Sequence, residues 1–600
     1  MTRDFHLPRP GDLLDAVLPA VQQAGRMIWA EFHREGGPRG SGSHAAIDVE
    51  VEGVLRKALL AVHACDWQGE ELPRQIDGNT DVWAVDPQDG TAAFLKGYRG
   101  PAISIALLRR GIPVLGVVYA PTAPDDGGDL FTWAQGRELT RNGKVLSSLM
   151  HRPFGPTTVL AQNEQAADYA LANHGRFAPA GIRAIPSIAY RLALAAAGEV
   201  DAAISLTYGL DSYDIAGGHA LLIGAGGSLV QLDGSPVLHG HGGFAGCVGG
   251  RAEVVDQVVR RQPQAGGKRQ LRLGIRPKVR SADPTMLDRA QGALLGLLAG
   301  DALGSQVEFL DPTSIRNRHP DGLHDLLPGG TWNLLAGQPT DDGEMALALA
   351  RSLVTSRGYD SEVVGAAYVA WGNSRPFDIG MTTRQGLVAI AGRGKANSSS
   401  QANGALMRAA PIGIAAKGVP NRAGAWARHD AALTHPHPVT QAANAAFCAA
   451  VAVGVAGGDR QAMYAAAWEW GGLLPDEGSV AVKDCLRAAK CVGPSDFMTQ
   501  QGWVLIALQN AFHHLMSYQS LSEAVSQTVM QGGDTDTNAA ICGALIGAVE
   551  GRAALPLAWQ SQILGCRAVP LPHVVHPRPS TYWADDALEL AEALIMLVVP

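Results

Sequence analysis

Residues 82–91 read Val-Trp-Ala-Val-Asp-Pro-Gln-Asp-Gly-Thr, a short apolar run followed by an acidic turn. The first four residues predict a strand, and Pro87 after it opposes helix formation. Gly90 permits a tight turn, so Asp86 and Asp89 can both face one point just beyond the strand. The residues that follow are expected to open a helix, whose free N–H groups attract phosphate. This stretch indicates an α/β domain with an acidic site at a strand end.

The rest of the first 262 residues mixes helical and strand patterns. Apolar residues recur at helical spacing over 13–28, and 49–62 is predicted to be a second helix. Two strands separated by Arg-Arg-Gly predict a hairpin over 103–119. Three further predicted elements are a strand at 202–206, a helix at 215–223 and a strand at 229–232. We therefore expect a layered αβαβα domain over residues 1–262.

Strand patterns nearly vanish after residue 287, where segments rich in Ala, Gly and Leu follow one another. They predict an all-α domain over 284–600, with helices at 287–304, 343–356, 361–371, 439–456, 501–516, 536–551 and 585–598. Glycines spaced four apart in the first helix form a ridge that lets another helix backbone approach closely; they are Gly292, Gly296, Gly300 and Gly304. The basic segment 263–283 is expected to be a linker, with a nucleic-acid patch as the less favoured alternative.

Composition excludes several classes of protein. The net charge is −8, which disfavours general binding to polyanions and makes a nucleic-acid partner unlikely. The seven cysteines include no Cys-x-x-Cys pair, so neither a disulfide framework nor a zinc ribbon is indicated. The first residues are polar, and a run of about 18 apolar residues is lacking, so we expect a cytoplasmic protein without a membrane partner.

Further carboxylates accompany the acidic turn in a fixed order. Gly69-Glu70-Glu71 precedes it, and Tyr213-Asp214-Ile-Ala-Gly-Gly follows it. Oxygen ligands without His or Cys favour Mg²⁺ over zinc. In this order the motifs resemble the inositol monophosphatase-like family of Mg²⁺-dependent phosphatases over residues 12–262. Ala45, Tyr213 and Ala92-Ala93 depart from that family's usual residues and leave the substrate open.

The resemblance implies a site that binds two Mg²⁺ and hydrolyses a small-molecule phosphate ester. It implies that Thr91 and Asp48 orient the attacking water, and that the Gly90 and Thr91 amides hold the phosphate. Glu70 is expected to take part in catalysis as well as in metal binding. The implied metal ligands are Glu70, Asp86, the Gln88 carbonyl, Asp89 and Asp214.

Two more acidic clusters lie far apart in the second half. Thr340-Asp-Asp342 and Asp534-Thr-Asp-Thr537 each precede an apolar helical run. Single clusters of this kind are often helix caps. Together they carry more oxygen ligands than capping requires, which indicates a second site for two hard cations. His435 and His437 could act as acid–base groups, but turns at the domain surface are the favoured interpretation.

Other stretches accompany these clusters: Gly300-Asp301-Ala-Leu-Gly304, Ser374-Arg-Pro-Phe-Asp-Ile-Gly and Met530-Gln-Gly-Gly-Asp. In this order they resemble the ADP-ribosylglycohydrolase family over about 285–600, and the last two stretches are most similar to its dinitrogenase reductase-activating members. The resemblance implies Glu308 at the distal ribose and Asp378 as a proton-transfer residue, both catalytic. It implies an ADP-ribosylated protein or ADP-ribose conjugate as partner, and two Mg²⁺ or Mn²⁺. The implied metal ligands are Thr340, Asp341, Asp342, Asp534, Asp536 and Thr537, and the implied diphosphate contacts are Asn403, Gly404, Gly532 and Gly533.

We therefore expect a bifunctional hydrolase, with a phosphatase acting on an inositol phosphate or a nucleotide 2′- or 3′-phosphate. The second domain is expected to cleave the N-glycosidic bond of ADP-ribosyl-arginine or a related conjugate. Gly343, Ala402 and Met381 depart from the family pattern and can loosen one metal or reshape the pocket. Two alternatives stay open: one domain is a degenerate regulatory binding module, or the protein reverses a partner's ADP-ribosylation as an antitoxin-like enzyme.

Overall fold

The computed structural model describes residues 7–240, 243–263, 280–281 and 283–597. It divides into two compact units, Met1–Leu271 and Arg272–Pro600. Most of the predicted basic linker at 263–283 lies outside the described residues. Each unit has its own hydrophobic core.

Two main sheets and a short hairpin organise the first unit. The strands are β1 (Gly40–Ser41), β2 (His44–Ala45), β3 (Asp66–Gly69), β4 (Asp81–Asp89), β5 (Ala102–Arg109), β6 (Ile112–Ala120), β7 (Asp129–Ala134), β8 (Thr140–Arg141), β9 (Lys144–Val145), β10 (Val159–Gln162), β11 (Gly181–Ala184), β12 (Ala202–Ser205), β13 (Ser228–Gln231) and β14 (Cys247–Gly250). The larger sheet has the order β3-β4-β5-β6-β7-β8-β9, and the second has the order β11-β10-β12-β14-β13. β3 runs parallel to β4, and β5 and β6 form the predicted hairpin.

Helices cover both sheets of this unit. They are α1 (Pro10–Phe32), α2 (Ala46–Val62), α3 (Thr91–Leu95), α4 (Ala170–Phe177), α5 (Ile188–Ala196), α6 (Ser212–Ala225) and α7 (Ala252–Arg260). α1 and α2 pack on the larger sheet, α5 and α6 lie between the two sheets, and α4 and α7 pack on the second sheet. This confirms the expected αβαβα layers.

The acidic turn is part of a strand, which corrects the sequence interpretation. β4 continues through Asp86 to Asp89 instead of ending at residue 85, and its register against β5 shifts between these two residues. Such a bulge accommodates Pro87, because the extra residues need not donate to the sheet ladder. The bulge re-aims the side chains at the strand end, so both carboxylates still reach one site.

The second unit is helical. Its helices are α8 (Pro284–Gly304), α9 (Pro312–Arg318), α10 (Asp341–Ser356), α11 (Ser361–Asn373), α12 (Met381–Ile390), α13 (Ala410–Ala415), α14 (Pro420–Thr434), α15 (Pro438–Val455), α16 (Arg460–Gly471), α17 (Glu477–Ala489), α18 (Val504–Met516), α19 (Leu521–Val529), α20 (Thr535–Glu550), α21 (Leu557–Gly565) and α22 (Ala587–Ile595). One of them, α15, is long and apolar enough to span a membrane by composition, but 83% of it is buried within the unit. It is therefore a core helix here.

The glycine ridge of α8 packs against α20, as the sequence predicts. Cβ atoms built on its four glycines would lie 2.1 to 2.4 Å from backbone atoms of the opposing segment. Real side chains cannot occupy that space, so the ridge fixes how closely the two helices approach. This contact also brings the start of α20 beside the end of α8, where Gly304 faces Asp536.

Candidate functional sites

The first acidic cluster comprises Asp86 and Asp89 on the bulge of β4 and Asp214 on the first turn of α6. One carboxylate oxygen from each lies within 4.8 Å of the others. Asp86 is 0% exposed, and its Oδ1 accepts a hydrogen bond from the Gln88 amide at 2.8 Å. Its Oδ2 is buried without a hydrogen-bond donor among the described residues. An orphaned buried anion that faces two other carboxylates fits a cation site.

Electrostatics in the first cluster call for added positive charge. Burial, followed by the charges of its neighbours Glu70 and Asp89, raises the pKa of Asp86 well above its usual range. Glu70 is exposed by surface area, but its carboxyl is crowded by protein atoms. That desolvation, with the charges of Glu71 and Asp89, raises its pKa to about 7. The cluster must therefore take up protons or bind cations to fill its oxygens.

Thr91, Asp48 and Gln88 form a hydrogen-bond network beside the cluster. Thr91 Oγ1 lies 3.0 Å from Asp48 Oδ2 and 2.9 Å from the Gln88 carbonyl oxygen. Since the hydroxyl has one proton, it can donate to only one of these acceptors at a time. Gln88 Nε2 donates to Asp48 Oδ1 at 3.0 Å, and burial raises the pKa of Asp48 to about 7. The sequence-predicted pair Thr91 and Asp48 is thus brought together.

Gly90 precedes α3 with φ of 98°, a left-handed conformation that favours glycine. The expected helix follows it but has only five residues, Thr91–Leu95. The predicted phosphate contacts of the Gly90 and Thr91 amides therefore rest on a single turn of helix and stay a prediction.

Two residues outside the predicted ligand and catalytic sets, Ser187 and Glu52, support the first cluster. Ser187 Oγ donates to Asp89 Oδ2 at 2.5 Å, and the Ala189 amide donates to the same oxygen at 2.7 Å. Glu52 accepts from the Glu71 amide at 2.6 Å and from Trp67 Nε1 at 3.1 Å, which fixes the loop that carries Glu70. Ser187 follows a proline and opens an apolar helix, so its N-cap pattern was readable, but its link to Asp89 was not.

The second acidic cluster joins the starts of α10 and α20. Carboxylate oxygens of Glu308, Asp534 and Asp536 lie within 4.8 Å of one another. Asp342 Oδ2 lies 3.4 Å from the hydroxyls of both Thr340 and Thr537. Its Oδ1 is buried without a hydrogen-bond partner among the described residues. The two distant sequence clusters therefore meet, and the orphaned oxygen again fits a cation site.

The second cluster is as strongly perturbed as the first. Burial raises the pKa of Asp342 and of Asp536 well above their usual range, and neighbouring carboxylates add to the effect. Burial and the charges of Asp378 and Asp534 raise the pKa of Glu308 to about 8. Burial and Asp534 raise the pKa of Asp378 to about 6. Glu308, which was predicted at the distal ribose, is thus placed beside the predicted metal ligands.

Asp301 is the main residue of this site that received no role from sequence. It is 0% exposed and accepts from the Thr340 hydroxyl at 2.8 Å, the Thr340 amide at 3.0 Å and the Gly343 amide at 2.9 Å. A Cβ at residue 343 would lie 2.6 Å from Asp301 Oδ2 and 2.7 Å from Pro339 Cβ. The packing around residue 343 therefore leaves no space for a side chain, which accounts for the glycine at this position.

Asn403 and Gly404 lie at the edge of the second cluster. Asn403 Nδ2 donates to Asp534 Oδ2 at 2.6 Å, and its amide donates to the Gly502 carbonyl at 2.9 Å. A pocket of about 710 Å³ adjoins them and is lined by Ser399, Gln401, Ala402 and residues 499–503. Its position next to Asp534 suits a ligand that reaches the acidic cluster.

Gly532 and Gly533 occupy tight left-handed turns, each with φ of 76°. A Cβ on Gly532 would lie 2.5 Å from the Leu310 carbonyl oxygen, and one on Gly533 would lie 2.3 Å from the Phe497 carbonyl oxygen. Close protein backbone accounts for both glycines, so their contact with a diphosphate stays a prediction.

The expected surface turn at His435 is wrong. His435 is 1% exposed, with Nδ1 2.8 Å from the Thr434 hydroxyl, and burial lowers its pKa to about 3. His437 caps α15, because its Nδ1 accepts from the Val439 amide at 3.1 Å. Met381, a departure noted in the sequence, is 89% exposed at the start of α12.

Comparisons with known proteins define the class of this chain. Residues 282–598 match the family model described as ADP-ribosylglycohydrolase, and residues 12–261 match the model of the inositol monophosphatase family. The chain belongs to the ADP-ribosylglycohydrolase family over its second unit, and its first unit belongs to the inositol monophosphatase family. Both are families of metal-dependent enzymes.

Curated relatives fall into the same two groups. ADP-ribosyl-[dinitrogen reductase] glycohydrolase of Rhodospirillum rubrum is 32% identical over 292 residues, which are 47% of this chain and 92% of that protein. ADP-ribosylarginine hydrolase Tri1 of Pseudomonas putida is 29% identical, over 46% of this chain and 74% of that protein. Inositol monophosphatase 2 of Solanum lycopersicum is 27% identical, over 37% of this chain and 89% of that protein. Among solved structures, inositol monophosphatase from Anabaena is 24% identical with a TM-score of 0.36, covering 42% of this chain and 95% of that one.

Proposed function

We propose that this chain is a bifunctional hydrolase, a phosphomonoesterase joined to an ADP-ribosylglycohydrolase, and that each activity depends on divalent cations. The observation that carries the proposal is that each unit buries an acidic cluster with an orphaned carboxylate oxygen, Asp86 Oδ2 in one and Asp342 Oδ1 in the other. We place the domain boundaries at 1–262, 263–283 and 284–600.

In the phosphatase site, the cation ligands are Glu70, Asp86, the Gln88 carbonyl, Asp89 and Asp214. When bound, two Mg²⁺ supply charge neutralisation for the phosphate and a lowered pKa for a bound water. Thr91 and Asp48 hold that water: the hydroxyl donates to Asp48 Oδ2, which leaves a Thr91 lone pair to accept a water proton. The Gly90 and Thr91 amides orient the phosphate.

In the glycohydrolase site, the cation ligands are Thr340, Asp341, Asp342, Asp534, Asp536 and Thr537, which suit two Mg²⁺ or Mn²⁺. When bound, the ions polarise the ribose hydroxyls and the attacking water. Asp378 exchanges a proton with the reacting groups, and Glu308 stabilises positive charge that develops at the anomeric carbon. Asn403, Gly404 and the turn at Gly532 and Gly533 contact the diphosphate.

ADP-ribosyl-arginine is the proposed substrate of the second unit. Support comes from the matched relatives, whose names specify ADP-ribosyl-[dinitrogen reductase] and ADP-ribosylarginine as their substrates. The first unit is proposed to act on an inositol phosphate or on a nucleotide 2′- or 3′-phosphate. A nucleotide substrate for both units would explain their fusion.

One experiment on the full-length protein tests both activities. Inositol 1-phosphate, adenosine 3′,5′-bisphosphate, NADP and ADP-ribosyl-arginine are each assayed with Mg²⁺, with Mn²⁺ and with EDTA. Asp86→Asn should abolish phosphate release and leave ADP-ribose release intact, whereas Asp342→Asn should do the reverse, so each variant is the control for the other. Binding of a substrate without turnover in the presence of metal would instead make that unit a regulatory module.

A further inference from the structure

Three aromatic rings lie at the border of the second acidic cluster, and we call them the aromatic rim: Trp332, Phe377 and His576. The Trp332 and Phe377 ring centroids are 6.0 Å apart, and the Phe377 and His576 centroids are 4.5 Å apart with planes tilted by 31°. All three side chains are half-buried. They form a row of adjoining rings that solvent still reaches.

The aromatic rim is attached directly to the carboxylates of the site. Trp332 Nε1 donates to Glu308 Oε2 at 2.6 Å, and the Thr331 hydroxyl donates to the Glu308 carbonyl at 2.9 Å. Phe377 immediately precedes Asp378 in the chain. The His576 carbonyl accepts from Gln338 Nε2 at 2.9 Å, two residues before Thr340. These contacts place the rings beside Glu308, Asp378 and the segment that leads to Thr340.

This combination of groups suits one kind of ligand. A guanidinium is planar, carries a weakly hydrated positive charge, stacks on aromatic faces and donates to carboxylates through its edge. The rim supplies aromatic faces, and Glu308 and Asp378 supply acceptors beside them. A serine oxygen linked to ribose has no charge to place over an aromatic face and no proton to donate to a carboxylate. The pocket next to Asn403 is lined by different residues and leaves the rim free for the other half of the substrate.

We infer that the aromatic rim, with Glu308 and Asp378, binds the guanidinium of the departing arginine side chain and makes the glycohydrolase selective for cationic leaving groups. This inference rests on the proposed function of the second unit. In the reaction, the water oxygen bonds to the anomeric carbon, the carbon–nitrogen bond breaks, and one water proton reaches the departing nitrogen. The guanidinium is positively charged in the substrate and again in the protonated product, although charge moves toward the anomeric carbon as the bond breaks. The rim therefore stabilises substrate and product alike.

Two substrates that share the ADP-ribose half but differ in the leaving group distinguish the contribution of the rim from that of the rest of the site. The full-length protein is assayed with ADP-ribosyl-arginine and with ADP-ribosyl-serine, whose leaving group is a neutral hydroxyl. Phe377→Leu removes an aromatic face without touching a carboxylate. It should raise KM for ADP-ribosyl-arginine about tenfold and change KM for ADP-ribosyl-serine less than twofold. Equal effects on both substrates, or no effect on either, would overturn the inference.

Trp468→Leu is the matched control. Trp468 is a half-buried aromatic residue of the same unit, and Lys483 and Arg487 lie over its ring. The variant should leave both KM values unchanged. The melting temperatures of both variants check that they fold.

A binding measurement keeps the inference testable if the wild-type protein hydrolyses neither substrate, which would refute the proposed function alone. Agmatine and N-carbamoylputrescine, in which an uncharged urea replaces the guanidinium while the ammonium at the other end is kept, are titrated calorimetrically into the protein with Mn²⁺ and ADP-ribose. Agmatine should bind the wild type at least tenfold more tightly than the urea, and Phe377→Leu should remove that preference. Equal binding of the two compounds to the wild type would overturn the inference whatever the activity.

Discussion

Gly296 of α8 and Gly543 of α20 touch through their backbones. A Cβ on Gly296 would lie 2.2 Å from the Gly543 carbonyl oxygen, and a Cβ on Gly543 would lie 2.1 Å from the Gly296 carbonyl oxygen. Neither position can accept a side chain unless the helices separate. Since the first turn of α20 carries Asp536 of the second acidic cluster, the contact also sets the position of that cluster.

Gly296→Ala should therefore destabilise the second unit. Alanine favours a helix by about 1 kcal/mol over glycine, but the overpacking outweighs that gain, and we expect a net loss of about 2 kcal/mol in the free energy of unfolding. Denaturation in urea measures it. Gly424→Ala in α14 is the control, because the nearest atom to its Cβ is 3.4 Å away; it should be neutral or stabilising. Equal stabilities for the two variants would contradict the packing.

Cation binding should stabilise the protein through the acidic clusters. Adding Mg²⁺ at 100 times its dissociation constant is expected to raise the unfolding free energy of the phosphatase unit by about 2.7 kcal/mol over the EDTA-treated form. Asp86→Asn should lose this gain. Without metal it should be more stable than the wild type at neutral pH, because the buried wild-type carboxyl must either take up a proton or stay charged beside Glu70 and Asp89. Melting temperatures measured with EDTA and with Mg²⁺ test both statements. If Mg²⁺ does not change the melting temperature of the wild type, the proposed cation site is refuted.

Glu199 gives the first unit a defined pH dependence. It is 8% exposed and accepts from Arg183 at 2.7 Å and from Arg141 at 2.9 Å. Burial opposes its ionisation, but the two arginines outweigh burial and lower its pKa to about 2. A lowered folded-state pKa stabilises the protein above the unfolded pKa of about 4.3, and the effect is lost as pH falls from there through 2.

Glu199→Gln should therefore cost about 3 kcal/mol at pH 7. The difference from the wild type should stay constant down to about pH 5 and shrink below it, which thermal unfolding across pH measures. Asp484→Asn serves as control, since Asp484 pairs with Arg487 at the surface, where an ion pair is worth less than about 1 kcal/mol. A cost for Glu199→Gln that does not vary with pH would show that the charge is not its cause.

Arg578 supports the second site through Glu344 and through the backbone that leads to Asp378. Its guanidinium binds Glu344 through two hydrogen bonds of 2.7 Å and donates to the carbonyls of Ser374 and Arg375, which lead to Asp378. Arg578→Met leaves the buried Glu344 without its charge partner, so we expect a loss of about 3 kcal/mol and reduced ADP-ribose release.

The double variant Arg578→Met with Glu344→Gln is the control for the Arg578 prediction. It removes the unpaired charge, so it should recover stability but not activity, because Asp378 stays unanchored. Urea denaturation and ADP-ribose release separate the two effects. Recovery of both would limit Arg578 to a role in stability.

Much of this architecture could be predicted from local patterns. The hairpin of β5 and β6 and the glycine ridge of α8 follow from alternation and from four-residue spacing, and both are found. Several helices of the second unit were missed, α14, α16 and α17 among them. The buried face of α14 consists of small or polar residues, Ala423, Gly424 and Ala427 among them, and those of α16 and α17 also include Gly, Ser or Arg. Few large apolar residues mark the helical period in these segments, so their pattern is weak in the sequence.

The site residues also divide into those that local sequence reveals and those that it does not. Where the members of a motif are neighbours in the sequence, as Asp86 and Asp89 are, the sequence itself shows that they lie close together. Asp301 and Arg578 act on segments 39 and 234 residues away, at Thr340 and Glu344. Their roles depend on which helices meet, and the spacing of residues along one chain does not contain that information.

Asp301 has a consequence for how the second site is maintained. Its three hydrogen bonds hold Thr340 and Gly343 in place with protein atoms alone. Because these bonds do not involve a cation, removing a bound ion should leave the shape of the loop intact. Chelation and reloading should then be a rapid, reversible exchange at a rigid cradle, which would let the cell's supply of metal set how much of the enzyme is active at a given moment.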